Sequence, residues 1–207
     1  MTVELKEREV AVVPTREEAK AQFEYWTKKL DLKHTFSFDE AYDYMLEKRN
    51  KEKIRNFREG IIKFSERLKT MPGVQGPNSF PLKHTFADGL YIRQITVPAK
   101  VLTVTKIHAK EHPFFLLKGT ISILTEEGIK KFTAPYSGIT KVGTQRIIYH
   151  HDEVVLTTVH RTDETDIAKI EEEVTAKSFD ELDGIIDVKA EDIKISEFLE
   201  EVKKGEE

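Results

Sequence analysis

The chain has 207 residues, of which 39% are hydrophobic. That suits one domain with an appendage or two small domains, with enough apolar material for a core. Its 33 Lys and Arg stand against 37 Asp and Glu, for a net charge of -4, a balance that argues against a general binder of nucleic-acid polymers. The absence of cysteine excludes disulfides, thiolate zinc sites and Cys nucleophiles, and fits an intracellular chain.

The first ten residues, MTVELKEREV, lack a basic segment followed by an apolar one, so no signal peptide is expected. No stretch approaches the ~20 apolar residues that span a bilayer. The expectation is a cytoplasmic protein without a membrane partner. Residues 1–70 form a helical N-terminal region. Thr15 with Glu18 has the capping-box form, and Phe23, Trp26 and Leu30 follow at helical spacing. Ser37 with Glu40 repeats that signature before one long helix or two shorter ones from Phe38 to Lys69, with Gly60 a weak point. Such amphipathic stripes pack against the rest of a protein or against another copy of it. The second alternative makes the chain a homo-oligomer, with a dimer as the expected state.

Residues 71–81, rich in Gly and Pro, read as a linker. The segment Leu32–Phe36 recurs as Leu82–Phe86, but the flanks diverge at once, so this is coincidence rather than a structural repeat. From 82 to 161 the texture is β. Short runs at 91–97, 101–107, 114–117, 120–124, 129–132, 146–149 and 154–159 are separated by turn signals, among them Pro135 with Gly138. This predicts a sandwich or small barrel. Residues 162–207 are a helical tail, with helices expected at 165–176, 178–182 and 196–202.

No Gly-rich phosphate loop, GxGxxG, GxSxG or HExxH is present. The chemistry is therefore sought among the histidines, five of which (His108, His112, His150, His151 and His160) lie in the β region. Alternation puts Lys106 with His108 on one strand face, and Arg146 with His150 on another. On the first barrel strand Tyr91 and Arg93 share a face and add polar groups to a pocket. A barrel interior gathering these side chains would be a cationic, His-rich cavity.

The segment from Pro98 to Gly128, with His112-Pro-Phe-Phe-Leu-Leu-Lys-Gly119, resembles the first motif of the cupin family. Gly143-Thr-Gln-Arg146 resembles the second. Counted back from Gly119, His112 falls on the family's Glu, His108 on its second His and Lys106 on its first. Arg146 takes the place of the second motif's His. The texture is also similar to cupin-like proteins encoded by bacteriophages. The resemblance implies a mainly β fold with α additions, a double-stranded β-helix (jelly-roll) barrel, and a host-cytoplasm location if the protein is viral. It implies no reaction.

Three readings stay open. Lys106, His108, His112 and Arg146, with Tyr91 and Arg93, could bind a small anion such as a nucleotide, phosphate or carboxylate. His108 and His112, with His150 or His160, could hold Zn, Fe, Mn or Ni for an isomerase or oxygenase, although Lys and Arg in the other two places disfavour a dication. Alternatively the charged groups pair with carboxylates, and the protein is a structural or interaction module working through its helices.

Overall fold

The computed structural model describes residues 14–31, 37–72, 74, 76, 79–182 and 188–205. The repeat at 32–36, with His34, and parts of the expected linker lie outside them. Both capping boxes form. The Glu18 carboxylate accepts from Thr15 N–H at 2.8 Å and opens helix α1, Arg16–Lys29. The Glu40 carboxylate accepts from Ser37 N–H at 2.6 Å and opens α2, Phe38–Lys69. The second is a single helix of 32 residues that passes through Gly60 without a break. Among the described residues no helix is long and apolar enough to cross a membrane.

Ten barrel-region strands follow: β1 Leu82–Ala87, β2 Leu90–Val97, β3 Val101–Val104, β4 Ile107–His108, β5 His112–Lys118, β6 Thr120–Thr125, β7 Gly128–Thr133, β8 Tyr136–Thr140, β9 Ile147–His150 and β10 Val154–Arg161. One antiparallel sheet has the order β1-β2-β10-β5-β8 and the other β3-β9-β6-β7. Without β1 and the two-residue β4, eight strands remain. Counted along the chain, they run first-eighth-third-sixth in one sheet and second-seventh-fourth-fifth in the other. That alternation between sheets is the jelly roll. Leu116 and Val154 of the first sheet pack on Ile121, Ile123 and Ile148 of the second, so these faces form the interior.

The other face of the β3-β9-β6-β7 sheet is buried too. Ile54, Phe57, Ile61 and Phe64 line one stripe of α2. Three of them, Phe57, Ile61 and Phe64, join Leu124, Ile147, Tyr149 and Phe198 in the largest core. Phe198 belongs to the last helix, Ile195–Lys204. The tail reaches that place along α2, where Asn50 donates to Val188 O at 2.8 Å and accepts from Ala190 N–H at 2.7 Å.

Three sequence expectations change here. The run at 101–107 is not one strand, because pairing stops after Val104 and resumes at Ile107. The signals at Pro135 and Gly138 do not mark a turn, since Tyr136–Thr140 is a strand. Gly138 is needed within it: a β-carbon would lie 2.8 Å from the Phe114 ring on the paired strand. The expected 165–176 helix is shorter, α3 at Ile167–Val174. It is followed by β11, Thr175–Ala176, which pairs with β4.

Candidate functional site at the α3 end of the barrel

Strand register assembles the site. Tyr91 faces His160 across β2 and β10, and His112 faces Thr140 across β5 and β8. Thr158 faces Phe114, so two residues further on His160 meets His112. Tyr91, His160, His112 and Thr140 thus form one row on the inner face, and His108 joins it from β4. The ring centroids of His108 and His112 are 4.8 Å apart, those of His112 and His160 4.2 Å, and those of His160 and Tyr91 6.1 Å. The Tyr91 hydroxyl and His84 Nδ1 share a hydrogen bond of 2.6 Å at the far end of the row. The next row carries Arg93, Thr158 and Phe114. The Arg146 guanidinium lies 5.0 Å from the centre of the Phe114 ring.

The polar atoms of this cluster are poorly served. His112 Nδ1–H donates to Lys110 O at 3.0 Å, which leaves Nε2 as a bare lone pair, buried and without a partner. Nδ1 of His108 and Nδ1 of His160 are likewise buried and unpartnered. Burial, the other imidazoles and the two guanidiniums hold His108 well below the usual histidine range. Burial first, then His112, Arg93 and Lys110, lowers His160 to about 4. His112 is lowered by burial and by Arg146. At neutral pH the three rings are therefore neutral.

Arg146 is drawn down to about 10 by burial, against the pull of Glu126 and Glu127, and keeps its charge. Burial also lowers Arg93. Neither guanidinium forms an ion pair among the described residues. A cleft of about 80 Å³ opens beside Arg146, lined also by Glu126, Glu127, Lys141 and Thr144.

Helix α3 closes this end. Its Ile170 and Val174 pack on Tyr91, and its Glu171 and Glu173 pair with Lys106 and Lys110. The structure thus sends Lys106 outward rather than into the cavity, with Nζ 2.6 Å from Glu171 and half of the side chain exposed. The interruption at Thr105 and Lys106 is the reason, because the alternation counted along a continuous strand does not carry across it. His150 does not join His108 and His112 either. It is buried beside the β9–β10 turn, with Nδ1 2.9 Å from Val101 O. His160 stands six residues from the start of β10, about 20 Å along the strand. The cluster thus brings together His108, His112, Arg146, Tyr91 and Arg93 of the expected residues. Of the two histidines named as a third partner, His160 joins the cluster and His150 does not, and His84 extends the row. Alternation along β10 groups His160 with Val154, Leu156 and Thr158; strand order supplied its neighbours and separated it from His150.

A divalent metal is what the cupin motifs would lead one to place here. Three imidazoles alone can make a zinc donor set, but two guanidiniums oppose a dication here electrostatically. No group of three or more His, Asp or Glu among the described residues is arranged to hold an ion. The residues as placed do not fit a metal.

No protein-family model matches the chain, and no curated protein matches it. Solved structures do match in part. The strand order is in itself that of a jelly-roll barrel. The cupin domain of Cnp3 from Schizosaccharomyces pombe is 16% identical at a TM-score of 0.37, with 51% of this chain and 80% of that one covered. Ectoine synthase from P. lautus is 10% identical at 0.41, covering 54% and 84%. A cupin superfamily protein from Desulfitobacterium hafniense is 9% identical at 0.36, covering 44% and 84%. At such identities none of them bears on the residues of the site.

Proposed function

We propose that the protein binds a small anion, a carboxylate or a phosphate whether free or as part of a nucleotide, at the α3 end of its barrel. One observation carries this reading. Arg93 and Arg146 stand at the inner face without an ion-pair partner among the described residues, next to three imidazoles with unpartnered nitrogens. A charged group lacking a partner inside a fold costs stability, and a ligand of opposite charge offsets that cost. The bacteriophage resemblance adds a viral origin and the host cytoplasm to this reading.

Thermal-shift titration with phosphate, adenosine monophosphate and citrate tests it. An anion at 100 times its Kd stabilises the folded state by ~2.7 kcal/mol. The shift should vanish in Arg93→Gln and Arg146→Gln. A shift that survives in both variants, or none with any of the three anions, refutes the assignment.

A further inference from the structure

Helix α1 is well capped but poorly covered. The Thr15–Glu18 box closes its start, and none of its residues is buried. It touches the first turn of α2 through the Phe23 and Phe38 rings, 5.7 Å apart, and through Arg16–Asp39 at 2.6 Å. An isolated helix of this length is marginal in water, and packing of an apolar face normally stabilises it. Yet Tyr25, Trp26 and Leu30 are 55%, 49% and 56% exposed. Trp26 is the only tryptophan of the chain. Lys29 spans both aromatic rings, its Nζ 5.3 Å from the Tyr25 centroid and 4.9 Å from that of Trp26.

We infer that this face of α1 is a self-association surface that pairs with α1 of a second copy in antiparallel orientation. Charge favours that occupant. Of the charged residues in its first and last turns, Glu18 and Lys29 flank the Trp26 stripe, while Glu17 and Lys28 lie across the helix from it. A two-fold axis near the middle of the helix therefore sets the acidic end of each copy against the basic end of the other. The same axis sets the small Ala19, seven residues before Trp26 and on its stripe, opposite the partner copy's indole. Area agrees. Half-exposed Tyr and Trp leave roughly 100 Å² each, and Leu30 a similar amount, for about 300 Å² of apolar surface per copy. Since interfaces are about 57% apolar, that implies roughly 500 Å² per copy and ~1,000 Å² in total, the threshold for a specific pair. The surface is separate from the anion site, because α1 lies apart from the barrel cores.

Sedimentation velocity on the full chain tests the inference. The wild type should dimerise at ~10 μM or below. Glu17→Lys with Glu18→Lys, and separately Lys28→Glu with Lys29→Glu, should each weaken self-association at least tenfold, and an equimolar mixture of the two variants should restore a dimer. Trp26→Asp with Leu30→Asp should weaken it about 100-fold. Each variant should keep the wild-type thermal midpoint of the barrel. A wild type that is monomeric at about 100 μM overturns the inference. So does a dimer that survives all three variants, or a mixture that stays monomeric.

Discussion

His160 gives the sharpest test of the site's electrostatics. Its ring is 6% exposed, lies 4.2 Å from that of His112, and titrates at about 4 because burial, His112, Arg93 and Lys110 oppose its charge. Above pH 6.5, the ordinary histidine value, the ring is neutral folded and unfolded and contributes nothing to pH dependence. As pH falls from 6.5 towards 4, the unfolded chain takes up a proton that the folded protein refuses, so stability is lost. Below 4 both states are protonated and the loss is complete. A difference of about 2.5 units at 1.36 kcal/mol each gives ~3 kcal/mol. His108 and His112, also lowered, act in the same direction. Denaturant unfolding of wild type and His160→Gln from pH 7.5 to 4 measures the difference, and subtracting the variant removes the carboxylates common to both. The wild type should lose up to ~3 kcal/mol more than the variant over this window. NMR titration of the imidazole Cε1–H signals gives the value directly. A His160 that titrates near 6.5, or a variant with the wild-type pH dependence, would refute the placement of these charges.

Three further outcomes follow from the same geometry. Gly119 has φ +88°, and a β-carbon there would lie 2.6 Å from Glu153 O and 2.8 Å from Val154 Cγ2, so Gly119→Ala should cost on the order of 2 kcal/mol in denaturant melts. Lys106→Ala breaks a surface ion pair with Glu171, so global stability should change by less than about 1 kcal/mol. Amide exchange in α3 should nevertheless quicken while the anion-induced thermal shift stays. Arg146→Gln removes a charge that lowers His108 and His112, so both imidazoles should titrate at higher pH in the variant by NMR; unchanged values would refute the placement of Arg146.

Local chemistry made the helices legible. A capping box is written in four residues, and both boxes form as spaced. Strand texture was legible as well, except where packing overrode the signals. Gly138 looked like a turn residue because its real reason, the Phe114 ring across the sheet, is set by a partner 24 positions away. Alternation failed on β9, where Ile147, Ile148, Tyr149 and His150 are all buried because helices cover the outer face. Face-sharing could group Arg146 with His150, but Arg146 precedes β9 and His150 ends it, about 13 Å further along, so the shared face does not bring them together. The cluster was half legible: His108, His112 and Arg146 came from motif-like spacing, while His160 required the jelly-roll order that lays the last strand beside the third.

The positive charges of this end of the barrel divide into two sets. Lys106 and Lys110 are committed to Glu171 and Glu173 and hold α3 over the opening. Arg93 and Arg146 are uncommitted, and their field helps to keep His108 deprotonated. An anion that enters therefore does two things. It neutralises the guanidiniums, and by removing their field it makes protonation of the imidazoles easier, so each ring becomes a stronger donor to the ligand. Binding should accordingly tighten as the solution becomes more acidic, opposite in sign to the stability of the empty fold.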